Sequence, residues 1–184
     1  SQVPSKPPAP PRGAPPAPPG ATRLAPEKFD FPQVLAARDR ASVVVETVAA
    51  LSRRFPRAAV FGCKPDRVSG LAGVGGGVNA QKVSAIDIPW ADPSVFLNVR
   101  LSRSFYLGPL PPLPRHRPIA EAMGKAAQEC LVQPVWIKEK PVAFLYAEFD
   151  APRGATPMDL AYLRGLAAAA ATGLAASIRS KRGA

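Results

Sequence analysis

The sequence predicts an α+β fold, a central antiparallel sheet of about five to six strands with the N- and C-terminal helices packed on one face. Three observations carry this expectation. The apolar segments 130–138 and 141–149 flank the short turn Glu139-Lys140 and read as a hairpin. The segments 58–63 and 67–74 repeat that pattern around Lys64-Pro65-Asp66. Tight connections of this kind join antiparallel neighbours. Apolar stripes at three- and four-residue spacing lie near the two ends of the chain, outside both hairpins, which groups the helices on one side of the sheet.

The elements follow in order. Residues 1–33 hold 11 of the 24 prolines and little periodic apolar pattern, so they read as a flexible Pro/Ala-rich linker. Runs such as Pro7-Pro8-Ala9-Pro10-Pro11 favour extended polyproline II, a spacer or a docking site for a groove that reads PxxP. A tether there implies a larger protein upstream. A first helix is expected over 31–55, capped by Asp30 with Pro32 in its first turn, and Val34, Ala41, Val44, Val45, Val48, Leu51 and Phe55 form its stripe. Pro56 ends it. The first hairpin runs into a glycine cluster, Gly73, Gly75, Gly76 and Gly77, and 84–88 forms a short third strand. Asp92 caps a helix reaching about Arg103. Residues 104–118, with five prolines, form a loop, and Pro118 starts a helix to about Gln128. After the late hairpin, Thr156-Pro157-Met158-Asp159 joins an N-cap hydroxyl, a first-turn proline and an acid at the third helical position. Leu160, Leu163, Ala167, Ala170, Leu174 and Ile178 continue that last helix, and 179–184 is a basic tail.

Composition narrows the function classes. The net charge of +11 is spread along the chain and accompanies a general Arg, Ala and Pro bias. No basic stripe interleaves with aromatics as single-strand binders require, so nucleic acid is not an expected partner. Cys63 and Cys130 form no CxxC motif and are expected as buried free thiols in a reducing cytoplasm. No apolar run approaches the ~20 residues needed to span a bilayer, and the N-terminus lacks a signal core.

No catalytic motif emerges. Gly75-Gly76-Gly77-Val78-Asn79-Ala80 fits G-x-G-x-x-A, yet only a few residues separate it from the next strand, so no dinucleotide-binding βαβ unit fits and the run reads as a flexible turn. His116 is the only histidine and reads as a solvated loop residue beside Arg115 and Arg117; no tetrahedral metal site and no Ser-His-Asp arrangement follow from it. Asp87 and Glu121 have no evident acid/base partner, and Glu148 and Asp150 are expected at the exposed end of a strand.

The element order, the segment Ala58-Ala59-Val60-Phe61-Gly62, the hairpin ending Ala143-Phe144-Leu145-Tyr146-Ala147-Glu148, and Met158-Asp159-Leu160 leading the last helix together resemble a GAF domain over residues 34–178. PAS and roadblock-type folds are its structural neighbours. The resemblance implies a pocket on the side of the sheet away from the terminal helices, roofed by the middle segment. It also implies cyclic nucleotides, tetrapyrroles, haem, small metabolites or nothing as ligand, and dimerisation through the terminal helices. The Asn-Lys…Asp-Glu constellation of cyclic-nucleotide binders is absent, and neither cysteine has the adjacent histidine of bilin attachment.

Within the roofing segment, Trp90, Phe96, Arg100, Arg103, Phe105 and Tyr106 are the candidate ligand-binding residues, able to hold an anionic or aromatic molecule by stacking and bidentate hydrogen bonds. Val44, Val48, Leu160, Leu163, Ala167 and Leu174 are the candidate dimer interface. The expectation is a noncatalytic regulatory or protein-interaction module of a bacterial-type cytoplasmic signalling or trafficking protein, with no cofactor, no metal and no membrane insertion. A homodimer or other protein partner is expected. The alternative is a sensor of an anionic or aromatic small molecule.

Overall fold

The computed structural model describes residues 28–124, 128–150 and 152–182. The Pro/Ala-rich run 4–26 therefore lies outside the described residues.

The two hairpins sit side by side and their inner strands meet. β1 (Arg57–Cys63) pairs with β2 (Arg67–Gly75) on one flank and with β6 (Lys140–Phe149) on the other. β5 (Glu129–Ile137) pairs with β6. Two short strands close the edges, β3 (Asp87–Pro89) on β2 and β4 (Tyr106–Gly108) on β5, giving the antiparallel order β3-β2-β1-β6-β5-β4. The expected α+β architecture is what the chain adopts.

Successive side chains of the central strands alternate between two cores. Ala58, Val60, Leu131, Val135, Leu145, Ala147 and Phe149 face the terminal helices α1 (Pro32–Ala36), α2 (Arg40–Ser52) and α6 (Pro157–Arg182). Ala59, Phe61, Cys130, Val132, Phe144 and Tyr146 face α3 (Ala80–Ser84), α4 (Val95–Ser102) and α5 (Arg117–Ala122).

The expected single helix over 31–55 is two helices. Ala37 turns extended, and Asp39, not Asp30, caps α2 by accepting the Ser42 amide at 3.0 Å and its hydroxyl at 2.7 Å. The new start turns the buried face to Val43, Thr47, Ala50 and Leu51, leaving Val45 63% exposed. Phe31 joins the core and packs edge-on against Tyr162 with Phe29. Gly173 of α6 lies where a Cβ would come within 3.0 Å of the Val34 carbonyl and 2.9 Å of a Val43 methyl, so its missing side chain lets α6 approach the first two helices.

The middle segment departs furthest from expectation. The run expected as a flexible turn opens α3, with Asn79 accepting the Lys82 amide at 2.9 Å. Ser84 belongs to that helix, so the third strand is only Asp87–Pro89. Ser94, not Asp92, caps α4, and Asp92 faces Arg115 instead. The proline-rich loop contains β4 and a 3₁₀ turn at Pro114–His116, and α5 ends at Ala122 rather than near Gln128. The late hairpin turns at Lys138-Glu139, one residue earlier than expected, with Lys138 left-handed at φ 55°.

His116 is buried, not solvated, at 2% exposure. Its Nε2 accepts the Val95 amide at 2.9 Å, and its Nδ1 donates to the Pro111 carbonyl at 2.7 Å, so the ring is neutral with its proton on Nδ1. Burial pushes its pKa below the ordinary value, against the Pro111 hydrogen bond.

At the start of α6 the capping signal holds. Thr156 Oγ1 accepts the Asp159 amide at 3.2 Å, and Asp159 accepts the Thr156 amide at 2.9 Å and hydroxyl at 2.7 Å. Arg54 and Arg153 add charged donors to the same fully buried carboxylate. Burial pushes this carboxyl up, but the Thr156 donors and the two guanidinium groups outweigh it and hold it below the ordinary range. α6 continues through Arg182, into the segment expected as a tail. Over Pro157–Arg179 it is long and apolar enough to cross a bilayer by length and composition, and half of that stretch is buried inside this molecule.

Two predictions follow from these buried polar groups. Asp159→Asn is expected to lower stability by roughly 2 kcal/mol at neutral pH. A depressed carboxyl stabilises fully above its unfolded value of about 3.9 and loses that contribution as pH falls from there through its lower folded value. Urea unfolding should therefore show a constant gap between wild type and variant from pH 7 to 5 that closes below about pH 4. His116→Ala is expected to cost roughly 2 kcal/mol, chiefly by leaving the buried Val95 amide unpartnered, since the Pro111 carbonyl keeps the Leu113 amide as donor. A histidine with a depressed pKa loses stabilisation as pH falls below about 6.5, so the variant should lack the part of the acid slope that wild type shows from there toward pH 5.

Candidate functional site

On the sheet face away from the terminal helices, strand register stacks residues into rows. Phe61 lies opposite Phe144, and Tyr146 lies between Ala59 and Val132. Phe96 of α4 drops onto them, with ring centroids 4.8 Å from Phe61 and 5.1 Å from Phe144. Val95, Val99, Ile119 and Met123 complete the layer. The four aromatics Phe61, Phe96, Phe144 and Tyr146 are fully buried. Phe96, expected to line a pocket, is thus a core residue that fills this side.

The next row is polar. Glu148 lies between Arg57 and Cys130 in register. Arg57 Nε donates to its Oε2 at 2.6 Å, and the Tyr146 hydroxyl donates to its Oε1 at 2.8 Å. Arg57 Nη1 reaches Asp150 at 3.0 Å. Glu148 is therefore wholly buried, contrary to the expected exposed strand end, and only Asp150 keeps solvent access. Burial pushes the Glu148 carboxyl up against the pull of Arg57 and Tyr146. It also pushes both thiols, Cys63 and Cys130, up to about 12. Among the described residues no group of three or more histidine, cysteine or acidic side chains is arranged to hold a metal.

Three of the six candidate ligand residues do converge. Trp90, Arg100 and Arg103 line an open groove of about 670 Å³ between the end of α4 and the β1–β2 and β5–β6 turns. Cys63, Lys64, Trp136 and Lys140 line it with them and were not among the expected residues. The Arg100 guanidinium lies 4.6 Å from the Trp90 ring centre, and that of Arg103 lies 5.3 Å from Trp136. The Trp90 indole is pinned: Nε1 donates to the Lys64 carbonyl at 3.0 Å and its amide to the Asp66 carbonyl at 2.9 Å. A β-bulge at Val135/Trp136 kinks the late hairpin where Trp136 and Val142 meet the groove. Arg103 caps α4 in a left-handed conformation, φ 54°, and pairs with Glu139. Both tryptophans are visible in the sequence, but only the meeting of the two turns makes them neighbours.

The other two candidates lie elsewhere. Phe105 packs against the terminal-helix layer beneath the Arg164 guanidinium, 5.2 Å away. Tyr106 sits on edge strand β4 and donates to the Pro109 carbonyl at 2.6 Å. Of the candidate interface residues, Leu163, Ala167 and Leu174 are buried in this chain's own core, whereas Val44, Val48 and Leu160 are half-buried.

No protein-family model matches the sequence, and no curated protein matches it. Solved structures do. The GAF domain of a phosphoenolpyruvate-protein phosphotransferase from Coxiella burnetii is 18% identical, with a TM-score of 0.67 over 83% of this chain and 92% of that one. The GAF-B domain of DevS from Mycobacterium smegmatis is 20% identical, with a TM-score of 0.63 over 79% of this chain and 100% of that one. A free methionine-R-sulfoxide reductase from Neisseria meningitidis, solved with its substrate, is 16% identical, with a TM-score of 0.63 over 82% and 89%. At these identities the likeness speaks for architecture, and the architecture is a GAF-like fold.

Proposed function

We propose that this chain is a noncatalytic regulatory or protein-interaction module, tethered by its Pro-rich N-terminal segment, up to the point where Phe29 and Phe31 join the core, within a bacterial-type cytoplasmic signalling or trafficking protein. The observation that supports this reading is the aromatic layer. Phe61, Phe96, Phe144 and Tyr146 occupy the side of the sheet where the GAF resemblance implies a ligand pocket. The available recognition chemistry instead lies outside, in the groove at the turns. Burial also drives both thiols away from the thiolate form that a nucleophilic cysteine uses. Self-association would use the flank of α2 and α6 around Val44, Val48 and Leu160, beside the exposed Val45 and Ile178.

The second reading, a sensor of an anionic or aromatic small molecule, is favoured by the Arg100–Trp90 stack, which offers a ring and a charge at one point.

Native mass spectrometry of the full chain purified from its source separates the two. A bare species under gentle conditions is expected for the module, and its mass reports monomer or dimer. An adduct that survives gentle conditions, disappears on denaturation and is absent from the Arg100→Ala/Arg103→Ala variant would replace the module reading with the sensor.

A further inference from the structure

We infer that the groove between the end of α4 and the two hairpin turns docks an extended acidic peptide segment of a partner protein. The inference rests on the interaction-module reading and names the chemistry of its partner.

Charge is the first argument. Lys64, Arg100, Arg103 and Lys140 line the groove, and Glu139 is its one carboxylate. Glu139 is held by Arg103, Lys64 feels Asp66 two residues on, and Arg100 and Lys140 form no ion pair with a carboxylate among the described residues. Three guanidinium groups outside the groove, by contrast, are neutralised locally, Arg57 by Glu148 and Asp150, Arg67 by Asp66 and Asp87, and Arg54 by Asp159. The groove brings uncompensated positive charge together with both of the chain's tryptophans.

The second argument is how the cations are presented. Arg100 and Arg103 each lie over an indole, so each guanidinium has one face covered; Arg103 already gives Nη2 to Glu139, whereas the Arg100 N–H edge is open to meet a carboxylate side-on. An acidic side chain adds to such a stack without dismantling it. A nucleobase that stacked on these indole faces would have to displace the guanidinium groups that cover them, whereas a carboxylate would not. Trp90, tied to two carbonyls of the β1–β2 turn and backed by Phe144, loses little freedom on binding.

The third argument is shape. The groove is open and walled by side chains of turns and a helix end, including Pro65, Leu101, Pro141 and Val142. The free sheet edges belong to β3 and β4, neither of which lines the groove, so a bound segment would be read by its side chains rather than added as a strand. The chain's own segment 1–27 carries Lys6, Arg12 and Arg23 against Glu27, the wrong sign for this groove.

Because both tryptophans line the groove, intrinsic fluorescence of the full chain reports its occupancy. Titration with an oligoglutamate peptide at low salt should give a saturable change that a neutral Gly/Ser peptide does not. Arg100→Glu/Lys140→Glu should weaken binding about tenfold or more. Lys64→Glu/Lys140→Glu, which leaves the Trp90 stack untouched, should do the same. Arg53→Glu/Arg179→Glu, an equal charge change elsewhere, should not, with circular dichroism confirming that each variant is folded. The inference is overturned if oligoglutamate leaves the fluorescence unchanged, if the Arg53/Arg179 variant weakens binding as much as the groove variants, or if oligothymidylate binds more tightly at the same salt. A bare chain in the mass spectrum with no oligoglutamate binding removes the acidic partner and leaves the module reading intact. A small-molecule adduct held by Arg100 and Arg103 removes the module reading itself.

Discussion

The pairing of β1 with β6 is the constraint on which the rest of the molecule depends. These strands come from different hairpins, separated by the whole middle of the chain, and they lie at the centre of the sheet. A central strand covered on both faces must offer two apolar surfaces at once. β1 and β6 do so, β1 buried along almost its entire length and β6 from Ala143 to Phe149. One set of alternating side chains then requires the terminal helices and the other requires the middle segment. Neither cover can be removed without exposing half of a core to water.

This explains what was legible in the sequence. Hairpins announce themselves locally, through continuous apolar runs around short polar turns, and both were readable. The last helix was readable because Thr156, Pro157 and Asp159 act on one another over three residues. The expected single first helix is two, because the chain turns extended at Ala37 and Asp39 caps a new start. The break was decided by Phe31 and Val34 packing against α6, a contact that spans most of the chain. The middle segment was poorly readable for the same reason. Its helices are a few residues long, and they exist because Phe61, Phe144 and Tyr146 need a lid.

The candidate site shows a similar division. Trp90, Arg100 and Arg103 share a stretch of sequence short enough to suggest a cluster. Phe105 and Tyr106, nearly adjacent to them, end on other surfaces because the chain reverses at Arg103, whose left-handed backbone ends α4. Trp136 and Lys140 belong to a hairpin far along the chain and reach the groove only through sheet register and the β-bulge. His116 and Glu148 looked solvated from their neighbours in sequence, yet both are buried against partners that only tertiary structure supplies.

The length of α6 carries a mechanical consequence. Its 26 residues span ~39 Å, more than the strands beneath it. Its first turns are clamped by Asp159 and by Tyr162 among Phe29, Phe31 and Phe55, whereas Ile178 and Arg179 near the far end stand in solvent. A rigid rod that is packed against its neighbours as far as Gly173 and Leu174 carries any rotation of that layer outward to its free end. By the same helical geometry, a tilt of about 10° at the clamp sweeps the far end through roughly 7 Å. Small rearrangements of the aromatic collar around Tyr162 would be felt at Arg182 as displacements the size of a side chain.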